Sequence, residues 1–86
     1  MKWVRGEYPK KYKVLLSNNK IVQFGDQRYE HYKDRTPLKL YSYLDHRDKE
    51  RRKKYIARHK KIMRNGKPAY QQRFTPSWFS WNYLWF

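Results

Sequence analysis

Tyr12-Lys13-Val14-Leu15-Leu16-Ser17-Asn18-Asn19-Lys20-Ile21-Val22-Gln23-Phe24 is the stretch that decides the fold. Its first five residues alternate, so that Tyr12, Val14 and Leu16 share one face of a strand. Ser17 to Lys20 then form a turn, because Asn tolerates the left-handed backbone that tight turns need. Ile21 to Phe24 reads as a second strand, closed by Gly25-Asp26. The pattern predicts a β-hairpin. A lone hairpin is marginal in water, so this one must lean on a helix or a further strand.

Working outward, Met1 to Lys11 reads as an irregular basic arm broken by Gly6 and Pro9. Residues 27–44 are ambiguous. Tyr29 and Tyr32 lie three apart, as on one helical turn or a tight loop. Thr36-Pro37 has the chemistry of an N-cap and first helical position, with Leu40, Tyr43 and Leu44 on the buried side. A strand fits the same residues almost as well. The best-defined helix spans about Asp48 to Met63. Asp45 and Asp48 cap it, and Asp48 and Glu50 set negative charge near the positive end of its dipole. Tyr55, Ile56, His59, Ile62 and Met63 recur at three- and four-residue spacing and predict one apolar stripe. Asn65-Gly66 and Pro68 read as its stop.

In the last nine residues Trp78, Phe79, Trp81, Tyr83, Trp85 and Phe86 crowd together, after Thr75-Pro76-Ser77, which reads as the start of a short helix or as a turn. No single helical face holds all six rings. Some are expected in the core, others in the groove of a partner. The expected organisation is one small α+β domain: a basic arm at 1–11, a hairpin-plus-helix domain at 12–66, and a basic, aromatic docking segment at 67–86.

Composition narrows the function. The chain has 86 residues, with 22 Lys and Arg against 7 Asp and Glu, a formal charge of +15. Residues 1–50 carry all seven acids and a net +5, whereas residues 51–86 carry ten bases and no acid. Such a surplus repels itself when compact and is relieved by a polyanion or an acidic protein surface. Without Cys there is no disulfide and no thiolate metal site. No apolar run reaches the length of a transmembrane helix, and Met1 to Arg5 do not open a signal peptide. Aromatics make up 20% of the residues, which argues against a disordered basic tail.

Candidate chemistry is sparse. His31, His46 and His59 lie near Asp34, Asp45 and Asp48 in sequence, but their spacing fits helix capping and packing better than metal ligation. No phosphate-binding glycine loop or nucleophile elbow occurs. The residues thus predict neither an enzyme nor a bound cofactor or metal. Arg51, Arg52, Lys53, Lys54, Arg58, Lys60 and Lys61 form the candidate contact with an anionic partner or nucleic acid, or else a merely solvated face.

Three strings carry a resemblance. Phe24-Gly25-Asp26-Gln27-Arg28-Tyr29-Glu30-His31-Tyr32-Lys33-Asp34-Arg35-Thr36-Pro37-Leu38 resembles a segment of small basic proteins of nucleocytoplasmic large DNA viruses, of the iridovirus, marseillevirus and phycodnavirus type. Asp45 to Arg52 with Tyr55 to His59 is similar to a second motif of those proteins, and Phe79 to Trp85 to a third. The resemblance implies a viral setting and no catalytic activity. The leading expectation is a virion structural protein, a minor capsid or cement component in the shell. Its aromatic residues Trp78, Phe79, Trp81, Tyr83, Trp85 and Phe86 would anchor in the major capsid protein or other minor virion proteins. The alternative is a non-specific DNA-binding protein for genome packaging.

Overall fold

A computed structural model describes residues 1–86. The hairpin forms as its alternation dictates: β2 (Tyr12–Leu15) pairs antiparallel with β3 (Ile21–Phe24), Tyr12 opposite Phe24 and Val14 opposite Val22. Asn19, at φ 65°, supplies the left-handed turn residue. The third strand that the hairpin needs comes from the segment read as an irregular arm. Lys2–Arg5 is strand β1, antiparallel to β2, with Trp3 opposite Val14. Gly6 and Pro9 do not prevent this, because both follow the strand. A Cβ on Gly6 would meet the Lys10 carbonyl oxygen at 2.8 Å, so glycine permits the close return of the chain into β2. The sheet order is β1-β2-β3.

Residues 27–44 contain neither the expected helix from Thr36 nor a strand. They wrap the sheet as a loop held by side chains and end in a short 3-10 turn, Ser42–Leu44. Tyr41 takes the core position, and Tyr43, expected inside, is exposed. Helix α1 (Lys49–His59) is shorter than its periodicity predicted. Asp48 caps it, accepting from the backbone N–H groups of Glu50 and Arg51. Of its stripe only Tyr55 is buried. Ile62 and Met63 lie beyond the helix and are exposed, because Asn65-Gly66 does not follow a helix end. It forms the tip of a second small hairpin, β4 (Met63–Arg64) with β5 (Lys67–Pro68), and both turn residues have positive φ.

Helix α2 (Pro76–Tyr83) begins where the sequence signalled, with the Thr75 hydroxyl oxygen accepting from the Trp78 N–H. It lies across the sheet and completes the core, formed by Tyr12, Val14, Phe24, Tyr41, Phe79 and Leu84. The Phe79 ring stacks on Phe24 at 5.3 Å, and Trp3 meets both Phe79 and Tyr83 edge-on. Strand β1, from the segment read as an arm, and helix α2, from the segment 67–86, therefore pack with the rest into one α+β domain. No helix is long and apolar enough to cross a membrane.

Candidate functional site

The rings expected to dock a partner are largely used internally. Phe79 is fully buried and cannot reach a partner, which corrects its assignment as an anchor. Trp85 stacks on Tyr55 of α1, nearly parallel at 4.2 Å, and Trp81 stacks on Tyr70 at 4.1 Å. Tyr83 lies against Trp3, and Trp78 against Phe79 and Phe74. One helical face could not hold six rings, but this helix packs in three directions: on the sheet through Phe79, on Tyr55 of α1 through Ser80 and Trp81, and on Tyr70 of the turn at Ala69–Gln71 through Trp81. Of the six only Phe86 is largely exposed, at 54%.

The basic residues of α1 and of the turn that follows it divide into two groups. Arg52 is half-buried: its Nε donates to the Trp85 carbonyl at 3.0 Å, and its guanidinium lies over the rings of Tyr32 and Phe86. That geometry makes Arg52 a clamp on the C-terminal segment rather than an anion contact. Arg51 donates to Glu30 at 2.9 Å and holds that carboxyl below its usual range. Lys54, Arg58, Lys60 and Lys61 are exposed and make no ion pair, while Lys53 reaches only Glu50, at 3.8 Å.

All seven carboxylates are engaged within the chain. Glu7 pairs with Lys13, Asp26 with Arg28, Glu30 with Arg51, Glu50 with Lys53 and Asp45 with His31. Asp48 caps α1, and Asp34 is buried among hydroxyl and amide donors. The exposed cations that remain have no internal counter-charge. In water each exposed pair contributes little to stability, so the consequence is chiefly electrostatic: an outward field of one sign.

Beneath this surface lies a polar network that sequence reading missed. Asp34 accepts from the Thr36 hydroxyl at 2.6 Å, from the Thr36 and Tyr41 backbone N–H groups at 2.9 and 3.1 Å, and from the Tyr12 hydroxyl. The Tyr12 oxygen in turn accepts from the Leu40 N–H at 2.8 Å. Burial alone would raise the Asp34 pKa, but the Thr36 and Tyr12 hydroxyls and the two amides outweigh it and hold the carboxyl below its usual range. The same burial, with the carboxylate alongside, pushes the Tyr12 phenol up.

Next to it Lys11, 2% exposed, places Nζ 2.7 Å from His31 Nδ1, and His31 Nε2 lies 2.6 Å from Asp45 Oδ1. A charged Lys11 fixes the direction of these bonds. The ammonium donates to Nδ1, so the neutral imidazole carries its proton on Nε2 and donates to Asp45. Burial lowers the Lys11 pKa to about 8 against the pull of Asp34, Asp26 and Asp45. Burial, and then the Lys11 charge, lower that of His31. His46 accepts from the Asp48 N–H at Nδ1, and His59 stacks on Tyr55 at 3.9 Å; burial lowers both pKa values. The three histidines thus have packing and bonding roles, and no three His, Asp or Glu side chains are grouped to hold a metal.

Residues 6–37 match the model of a family of unknown function (DUF5754). The matched segment takes in the β2–β3 hairpin and the Lys11, Tyr12, His31, Asp34 and Thr36 side chains, and it stops short of α1 and α2. No curated protein matches the chain, and no solved structure does.

Proposed function

We propose that this chain is a non-enzymatic, basic virion protein that binds nucleic acid through the exposed cations of α1 and of the turn that follows it, and packages the viral genome. The observation that carries the reading is the internal use of every carboxylate, which leaves Lys54, Arg58, Lys60 and Lys61 without a counter-ion. A polyanion supplies that charge at high density, and release of its condensed counterions drives binding. The viral setting rests on the resemblance of the three motifs. The anchors that favoured a capsid-cement role are mostly spent on the protein's own core. Exposed Tyr29, Tyr43 and Phe86 support cementing to the major capsid protein in the shell as the second reading.

The test is a salt series of fluorescence anisotropy with a labelled 20-base-pair duplex. About five phosphate contacts predict a log–log slope near −4.5, at roughly 0.9 per contact, independent of base sequence. Changing Lys53, Lys54, Arg58, Lys60 and Lys61 to Gln should flatten that slope. Absence of duplex binding at 50 mM salt, together with capture of the chain by purified capsid shells, would transfer the assignment to the cement role.

A further inference from the structure

An open cleft of about 470 Å³ lies between the turn of the β2–β3 hairpin and the segment joining β5 to α2. Its lining includes the cations Lys20, Arg64 and Arg73 and no carboxylate, with Ile21, Phe74 and Pro76 among its apolar walls. These cations come from three separate stretches of chain and are exposed. None is on α1, so the cleft is a different feature from the helix face.

Phe74 has φ 68°, a left-handed conformation that a bulky aromatic residue rarely adopts. Backbone strain of this kind persists only where surrounding structure enforces it. Here one side of the ring faces Trp78 and Phe79, and the Arg73 guanidinium lies 5.0 Å from its centroid. The strained residue thus holds Arg73 in the cleft as a planar cation backed by an aromatic ring. A flat guanidinium, apolar walls and two further cations suit a ligand with a planar ring and a phosphate.

We propose that the cleft binds a nucleotide unit of single-stranded nucleic acid, with the base on the Arg73 guanidinium and the phosphate toward Lys20 and Arg64. The inference rests on the nucleic-acid reading above and specifies the strand form. The volume is within the range of small-ligand sites, roughly 300–1,000 Å³. A duplex keeps its bases stacked inside and cannot offer one to a concave site, whereas an unpaired base can leave its neighbours and stack on an arginine plane.

The experiment compares the full chain with two variants, K20Q/R64Q/R73Q and K53Q/K54Q/R58Q/K60Q/K61Q, by anisotropy with labelled dT20 and a 20-base-pair duplex. The cleft variant should lose about tenfold or more in dT20 affinity, on the scale of one lost base stack, and no more than about threefold with duplex. The α1 variant should weaken both. As a second readout, thymidine monophosphate titrated into isotope-labelled protein should shift the amide resonances of Asn18, Ile21, Phe74 and Thr75. Equal losses on the two DNAs, or monophosphate shifts confined to α1, would overturn the cleft assignment and leave the duplex-binding reading intact. Polyglutamate displacing dT20 from the cleft as readily as unlabelled dT20 does would instead assign it to acidic peptide. Failure of the unmodified chain to bind either DNA would overturn both readings together.

Discussion

Replacing Tyr12 by Phe removes one oxygen from the middle of the buried network and nothing else. The ring keeps its place between Trp3, Phe24 and Tyr41, so no cavity opens and the measured cost is the polar contribution. Two bonds are lost: the hydroxyl's donation to Asp34 and its acceptance from the Leu40 N–H. A hydrogen bond to a charged group contributes about 1.5–3 kcal/mol and a neutral one about 1. The expected loss is therefore about 3 kcal/mol. Total stability for a domain of this size is on the order of 4–13 kcal/mol, so the variant surrenders a large share of it. Urea denaturation followed by circular dichroism should show a lower midpoint at unchanged m-value, and the thermal midpoint should fall by about 12–24 °C. The partner change Asp34→Asn keeps the shape but turns an NH2 group toward existing donors, and it should cost at least as much. Because the two residues share a bond, the double variant should be less destabilised than the sum, by about 1 kcal/mol or more. A loss below 1 kcal/mol for Tyr12→Phe, or strict additivity with Asp34→Asn, would refute the view that this network holds the 27–44 loop to the sheet.

Three further outcomes are expected. Phe79→Ala should cost about 3–5 kcal/mol and unfold much of the population, whereas Phe86→Ala, at an exposed site, should change the urea midpoint little. Equal effects would contradict the internal role of α2. Lys11 has a folded pKa of about 8, below its ordinary value of 10.5. Between those values the unfolded chain binds more protons than the folded one, so the Lys11 contribution to stability rises from pH 8 to pH 10. Comparing unfolding at pH 8 and 10 in the parent and in Lys11→Met should show a smaller rise in the variant. Asp34 and His31 act at the acid end. Their folded pKa values are depressed, so their contributions are lost as pH falls, below about 6.5 for His31 and below about 4 for Asp34. His31→Gln should remove part of the stability change seen between pH 7 and 5.

Local rules carried the sequence reading a long way, and its failures share one cause. The β2–β3 hairpin and the Asp48 cap depend on neighbouring residues and stand in the structure as read, and of the two readings at Thr75-Pro76-Ser77, helix or turn, the helix forms. Strand β1 was missed because Lys2-Trp3-Val4-Arg5 buries its outer residues poorly and gains its place only by pairing with β2. Asn65-Gly66 carries two meanings, helix stop or hairpin tip, and only the pairing of Met63 with Pro68 chooses between them. The buried network was invisible for a deeper reason. Lys11, His31 and Asp34 are residue types that normally face water, and their burial depends on partners that include side chains 14 to 22 positions away. Likewise the aromatic segment looked too dense for one small domain until α1 and the Tyr70 turn were seen to cover it from two more sides.

The crossing of α2 over the sheet has a consequence for biosynthesis. Trp3, Tyr12, Val14 and Phe24 are translated early, but Phe79 and Leu84, which close over them, come about fifty residues or more later. At roughly 5–20 residues per second the ribosome leaves the inner face of the sheet uncovered for several seconds. Throughout that interval the nascent chain presents an aromatic surface, while its net charge grows from +5 over residues 1–50 toward +15. Charge repulsion between neighbouring nascent chains then does what a folded core cannot yet do, keeping those rings from finding each other between molecules.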